Sequence, residues 1–264
     1  MSDRYALIGH PVAHSKSPAI HAAFARATGQ DIEYGLIDAP LDGFGQALER
    51  FRAAGGKGLN VTVPFKQEAF RFCGCHSDRA RVAQAVNTMR FEDSFGDNTD
   101  GIGLARDFSQ NLNVPLKDKA VLLLGAGGAA KGVIGALLGE GVARLVIANR
   151  TASKAETLAR RFAGARACGY DALDGERFDI VINATSAGLE GEAPPLPQGL
   201  LARSVLAYDM VYGRDTPFLA AARRAGARAC DGLGMLVEQA AESFFVWRGV
   251  RPATRPVLEK LRGA

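Results

Sequence analysis

Along most of the chain, short runs of aliphatic and β-branched residues alternate with segments whose apolar positions recur at three-and-four spacing. The runs are Tyr5 to Ile8, Glu33 to Ile37, Gly58 to Val63, Ala120 to Leu124, Leu145 to Ala148, Asp179 to Asn183 and Val205 to Tyr208. Strands alternating with amphipathic helices predict parallel sheets covered by helices on both faces. Val121 to Leu124 is apolar at every position, as in a strand buried on both sides. The helix opening at Pro18 carries Pro in its first turn, with Ser17 as its expected N-cap. A polar turn, Gly96 to Gly101, leads into a helical segment over 104–112, which sets a boundary near 102. A second boundary falls near Gly232-Leu-Gly234. Beyond it Leu236, Val237, Ala240, Ala241, Phe244 and Phe245 mark a helix running to about Trp247.

Composition narrows the class without naming a function. A chain of 264 residues fits two domains at roughly 150 residues each, with ample material for a core. Hydrophobic residues make up 47% and charged residues 23%, and no low-complexity tract appears, which excludes large-scale disorder. The net charge of +4 is spread along the chain, so it favours small anionic ligands as readily as nucleic acid, and no nucleic-acid partner is expected. No apolar run approaches the ~20 residues that span a bilayer, and the first residues lack a signal-peptide pattern, so the expectation is a cytoplasmic protein without membrane association. Cys73 and Cys75 stand before His76 without a second ligand pair at zinc spacing, and no metal is expected. Glycine is enriched at 31 residues where about 7% would give roughly 18. Seven of the glycines lie between 125 and 141.

That cluster is a dinucleotide signature. Strand Val121 to Leu124 runs into Gly125-Ala126-Gly127-Gly128-Ala129-Ala130 and then a helix, which is G-x-G-x-x-A in its proper context. Gly125 permits the tight turn, Gly127 lets backbone amides approach a pyrophosphate, and Ala130 allows close packing of helix on strand. The next strand ends at Ala148, where an NAD enzyme usually places an acid for the ribose 2′-hydroxyl. Here Asn149, Arg150 and Thr151 follow, with Lys154 one turn on. No carboxylate repels a 2′-phosphate, Arg150 offers a planar fork, Thr151 can both donate to phosphate and cap the next helix, and Lys154 adds a charge. NADP is therefore favoured over NAD.

Three further segments are more polar than packing requires. Gly9 to Pro18 offers Ser15 and Ser17 beside a helix start, a cradle for a carboxylate. Asn60 to Lys66 ends a strand and presents Thr62 and Lys66 at its C-terminal end, where open α/β sheets bind ligands. Ala85 to Thr88 contributes Asn87, and Gly96 to Gly101 contributes Asp100. Each residue alone also reads as an ordinary cap, turn or surface charge. His10 and His14 read as packing or capping residues beside the better-placed lysine.

Together these segments resemble the shikimate dehydrogenase family over essentially the whole chain. The motifs are G-x-P-x-x-H-S-x-S-P at 9–18, N-V-T-V-P-F-K at 60–66, A-V-N-T at 85–88, D-N-T-D-G at 97–101, G-A-G-G-A at 125–129, N-R-T-x-x-K at 149–154, D-M-V-Y at 209–212 and G-M-L-V-x-Q-A at 234–240. They stand in the family's order. The resemblance implies reversible reduction of 3-dehydroshikimate to shikimate with NADPH, on the route to chorismate and the aromatic amino acids. It implies an α/β protein with a three-layer substrate domain over 1–101 and 235–264, a doubly wound Rossmann-type NADP domain over 102–234, and a cleft between them. Lys66 would be the proton donor and acceptor, with Asp100 as partner. Ser15 and Ser17 would bind the substrate carboxylate with Tyr212, while Thr62, Asn87, Asp100 and Gln239 would hold the ring hydroxyls and reacting oxygen. Met210 and Gly232 would line the nicotinamide, and Asp78 matches another cofactor contact. The protein would act on small molecules as a monomer or homodimer. Two other readings stay open: a quinate/shikimate paralogue using NAD, and a non-catalytic NADP-binding regulator, which would have no need of Lys66 or Asp100.

Overall fold

A computed structural model of the chain describes residues 2–189, 191–201 and 206–263. It divides into two compact units, one of Met1–Leu104 with Leu236–Ala264 and one of Ala105–Met235. The first begins with β1 (Asp3–Gly9), α1 (Ser17–Thr28), β2 (Ile32–Asp38), α2 (Phe44–Ala53), β3 (Gly56–Val61) and α3 (Lys66–Phe72). It continues with β4 (Cys75–His76), α4 (Asp78–Ala83), β5 (Thr88–Arg90), β6 (Phe95–Asp97) and α5 (Asp100–Arg106). A π-turn over Asp107–Asn111 leads into the second unit, which holds β7 (Ala120–Leu124), α6 (Gly128–Gly139), β8 (Arg144–Ala148), α7 (Ala152–Ala159) and β9 (Ala165–Cys168). β10 (Ile180–Asn183), β11 (Leu206–Asp209), α8 (Pro217–Arg224) and β12 (Arg228–Asp231) complete it. The chain then returns to the first unit along α9 (Leu233–Arg248) and ends with α10 (Arg255–Arg262).

The first sheet has the order β2-β1-β3-β5-β6-β4. Only its β2-β1-β3 half is parallel throughout: β5 runs antiparallel to β3 and to β6. This corrects the expectation of uniformly parallel sheets. The segment read as a polar turn after residue 95 is in fact β6 followed by α5, and α5 begins at Asp100 rather than 104. Three-residue strands such as Thr88-Met-Arg90 are too short to establish a period, which is why the hydrophobic pattern passed over β5 and β6. β4, β9 and β12 are also short and form sheet edges, where arginines and other polar residues break the apolar run. Val205, read as the start of a strand, lies outside the described residues.

Period-two alternation along β1 and β3 builds the first unit's layers. Ala6, Ile8, Leu59 and Val61 face a cluster completed by Phe44 and Leu48 of α2, by Phe65, and by Ala69 of α3. On the opposite face the rings of His21 and Phe24 from α1 meet Tyr34 of β2 and Phe244 and Trp247 of α9. Helix, sheet and helix make three layers. In the second unit all strands are parallel in the order β12-β11-β10-β7-β8-β9, the doubly wound topology. Val121 to Leu124 is fully buried, as its unbroken apolar run requires. The order reverses at β7, whose carboxyl end is therefore the switch point where such sheets bind ligands. No helix among the described residues is long and apolar enough to cross a membrane.

Candidate active site and its relatives

Lys66 is the first residue of α3, and Asp100 the first of α5. The fold brings them together: Lys66 Nζ lies 2.5 Å from Asp100 Oδ2, with side chains only 14% and 7% exposed. Asp100 Oδ1 accepts a hydrogen bond from Asn87 Nδ2 at 2.8 Å. The orientation of that amide is forced, because Thr99 donates its backbone N–H to Asn87 Oδ1 at 2.9 Å and an N–H cannot accept. Each carboxylate oxygen of Asp100 thus has its own donor. Gln239 Oε1 completes the group by accepting from Asn87 Nδ2 and Thr99 Oγ1, both at 3.3 Å. Helix α9 comes close enough for this because residue 103 is glycine: a Cβ there would stand 2.7 Å from that of Gln239. The Asp100 backbone N–H is in turn held by Asn98 Oδ1 at 3.2 Å.

Ser15 and Ser17 are also neighbours, with hydroxyls 3.1 Å apart. Ser17 is not the N-cap of α1; Lys16 holds that position, and the Ser17 N–H is taken up by Ser15 Oγ at 3.2 Å. The sequence rule was misplaced by one residue because the local hydrogen bond between the serines draws Ser17 into the first turn. Thr62 pairs through its backbone with Ile8, and its methyl packs where a side chain on Gly9 would stand. Asp78 lies apart, 94% exposed at the start of α4 and paired with Arg81 at 2.5 Å. His10 pairs with Asp38 at 2.6 Å, and His14 is exposed. Burial pushes the Cys73 thiol up to about 12, His76 Nε2 lies 2.7 Å from the Phe70 carbonyl oxygen, and no metal-competent cluster of His, Cys, Asp and Glu exists among the described residues.

The second unit carries the other predicted residues. Gly125 turns at φ +106° directly after β7, and its N–H bonds the Ala148 carbonyl at 2.8 Å. α6 then begins with Gly127 as its N-cap and no side chain capping it. A Cβ built at Gly127 or Gly128 meets no protein atom within 4 Å, so neither residue needs to be glycine for internal packing. An uncapped helix start under open space suits a phosphate group. Ala130 is fully buried against the sheet. At the end of β8, Asn149 donates to the Thr151 carbonyl at 2.9 Å, and Arg150, Thr151 and Lys154 are exposed. Thr151 occupies the N-cap position of α7 without a side-chain capping bond, contrary to its expected capping role, which leaves its hydroxyl able to donate to a ligand oxygen. These features fit an anionic dinucleotide with a 2′-phosphate. Met210 and Gly232 are adjacent, a Cβ on Gly232 falling 2.5 Å from the Met210 carbonyl oxygen, and Tyr212 follows β11.

The sequence reading missed a second layer of polar residues under the Lys66 group. Asn60 of β3 is 5% exposed, and Thr88, Thr99 and Ser243 are fully buried. Asn60 Nδ2 donates to the Asn87 carbonyl and to Ser243 Oγ, both at 3.0 Å. An asparagine at an inward position of the buried strand Gly58 to Val61 was the available signal, since such a group must be hydrogen-bonded.

Known proteins match this arrangement along its length. The family profile for the shikimate dehydrogenase substrate binding domain matches residues 7–89, that for shikimate / quinate 5-dehydrogenase residues 107–190, and that for the shikimate 5′-dehydrogenase C-terminal domain residues 232–262. A shikimate dehydrogenase (NADP(+)) from Nitrosospira multiformis is 58% identical over 271 residues, covering 100% of this chain and 98% of the relative. Among solved structures, an Ael1 enzyme from Pseudomonas putida superposes with a TM-score of 0.92 at 51% identity, over 98% of both chains. The shikimate 5-dehydrogenase of Thermus thermophilus, in complex with NADP(H) and shikimate, gives 0.88 at 36% identity, again over 98% of both. With three family profiles in chain order and a full-length relative at this identity, the chain belongs to the shikimate dehydrogenase family.

Proposed function

We propose that this chain catalyses the reversible NADPH-dependent reduction of 3-dehydroshikimate to shikimate, with Lys66 as the proton donor and acceptor. The observation that carries the reading is the Lys66–Asp100–Asn87 group, a cation held by a carboxylate that is itself locked by an amide. The unit containing residues 1–104 handles the substrate, and the unit over 105–235 handles the cofactor. NADPH, when bound, supplies the hydride. Hydride addition to a ketone leaves negative charge on oxygen, and Lys66 both stabilises that charge and donates the proton that quenches it. In the reverse direction Lys66 takes the hydroxyl proton as hydride departs. Asp100 keeps the ammonium group aimed, and the bond from Asn87 prevents the carboxylate from swinging away.

Ser15 and Ser17 take the substrate carboxylate, while Thr62, Asn87, Asp100 and Gln239 take the ring hydroxyls. Gly125 to Ala129 cradle the pyrophosphate at the start of α6, and Asn149, Arg150, Thr151 and Lys154 receive the adenosine end with its 2′-phosphate. Met210 and Gly232 line the nicotinamide. Asp78, paired with Arg81 in solvent, is the least supported of the expected contacts. Such small-molecule chemistry suits a cytoplasmic enzyme working as a monomer or homodimer.

An assay of nicotinamide absorbance with shikimate or quinate, each offered NADP or NAD, tests the assignment. Turnover is expected to be best with shikimate and NADP, and activity with quinate and NAD alone would overturn it. Lys66→Ala is expected to lower kcat by ~10²–10⁴ while leaving NADP binding unchanged, because its contribution is made in the transition state. A kcat within a few-fold of the parent would remove Lys66 from proton transfer.

A further inference from the structure

Tyr34 stands outside the group described above, yet its hydroxyl is the first member of a hydrogen-bonded chain that ends on Asp100. Tyr34 lies on β2, its ring stacked on the buried imidazole of His21 with centroids 4.2 Å apart and planes 7° from parallel. Its hydroxyl donates to Asn60 Oδ1 at 2.8 Å. The direction is fixed by the far side of the same amide: Asn60 Nδ2 faces the Asn87 carbonyl at 3.0 Å, and a carbonyl only accepts. Asn60 Nδ2 also lies 3.2 Å from Thr88 Oγ1, and that hydroxyl donates to Asn87 Oδ1 at 2.9 Å. Asn87 then presents its amino group to Asp100.

We propose that Tyr34 is a positioning residue for the reaction, acting through Asn60 and Thr88 to hold Asn87 against Asp100. The proposal rests on the reading that Asn87 and Asp100 serve catalysis. Every link except Tyr34 is nearly or fully buried, so no solvent can replace a lost partner, and a rotated Asn60 amide would set two carbonyl oxygens against each other. His21 contributes by shape: its ring fixes the plane of Tyr34 and hence the direction in which the hydroxyl points.

A double-mutant cycle tests this. Tyr34→Phe keeps the ring on His21 and removes only the hydroxyl; kcat is expected to fall about tenfold, with KM for NADP unchanged. In an Asn87→Ala background the same substitution is expected to cost almost nothing, since the group it positions is gone. Thr88→Val, an isosteric loss of the next hydroxyl in the chain, is expected to behave likewise, and decides the matter should Tyr34→Phe fold poorly. If Asn87→Ala lowers kcat but Tyr34→Phe is silent, or costs the same in both backgrounds, the positioning role is wrong and Tyr34 only stabilises the fold. If Asn87→Ala itself leaves kcat unchanged, the site assignment falls and the positioning role with it.

Discussion

A Cβ on Gly234 would overlap the carboxylate of Asp107, whereas a Cβ on Gly127 would meet no protein atom within 4 Å. The two glycines look equivalent in a sequence rich in them, but packing requires only Gly234, while the open space at Gly127 fits the proposed phosphate site. Asp107 is fully buried and accepts from the Tyr208 hydroxyl at 2.6 Å and from Asn111 Nδ2 at 3.0 Å, so a shift of its carboxylate would break buried hydrogen bonds. Gly234→Ala is therefore expected to destabilise the protein by about 3 kcal/mol or more, read as a lowered midpoint in urea. Gly127→Ala, at an ordinary negative φ, should leave that midpoint nearly unchanged and raise KM for NADP by about tenfold or more. A Gly127→Ala enzyme with parental NADP kinetics would move the phosphate site elsewhere. At this scale the sequence singled out Lys66, Asp100 and Asn87, because they stand in motifs, and the fold brings the three into one hydrogen-bonded group. It was silent on Asn60, Thr99 and Ser243, whose importance lies in what they touch.

Helix α1 and strand β2 illustrate what an element adds. α1 buries Ile20, His21 and Phe24 on one stripe, and this stripe meets Tyr34, Phe244 and Trp247. His21 is fully buried, with neither ring nitrogen in hydrogen-bond geometry, and burial lowers it to about 3, with Asn60 opposing. The unfolded chain takes up a proton near the ordinary 6.5 and the native state does not, so the stability contributed by neutral His21 is complete above that pH. It is lost as pH falls toward about 3, at up to about 1.4 kcal/mol per pH unit. Urea unfolding between about pH 7 and pH 4 should show this slope, and His21→Phe, which keeps an aromatic ring and abandons no hydrogen bond, should flatten it. An unchanged slope would show that His21 is not the group responsible. The helix itself was legible from its proline-bearing first turn, but its start was displaced by one residue because Ser15 competes for the Ser17 N–H. β5 and β6 were not legible, since a three-residue strand has no period to read.

At the scale of the whole molecule, the two units differ in how they use the chain. Residues 105–235 are continuous and enclose their own parallel sheet and core. A fragment of these residues is expected to melt cooperatively and to gain stability from NADP, which circular dichroism with and without cofactor would show. The first unit depends on its C-terminal return: Trp247 Nε1 bonds the Met89 carbonyl at 2.9 Å, Arg248 pairs with Asp3, and Ser243 joins Asn60. Residues 1–104 alone would expose the aromatic face of their sheet and are expected not to fold. A stable 1–104 fragment, or an unfolded 105–235 fragment, would contradict this division.

The sequence by itself determined the alternation of strand and helix, the doubly wound unit with its glycine-rich turn after β7, the absence of an acid after β8, and the motifs that hold the residues proposed to move a proton. These are local properties, written in period, spacing and residue type. Tertiary structure decided the antiparallel pairings of β5 in the first sheet, the pairing of Lys66 with Asp100 across 34 positions, and the buried amides and hydroxyls that surround them. Those features depend on contacts between segments far apart in the chain. A hydrogen bond between Asn60 and Ser243 spans 183 positions, and no local pattern records it.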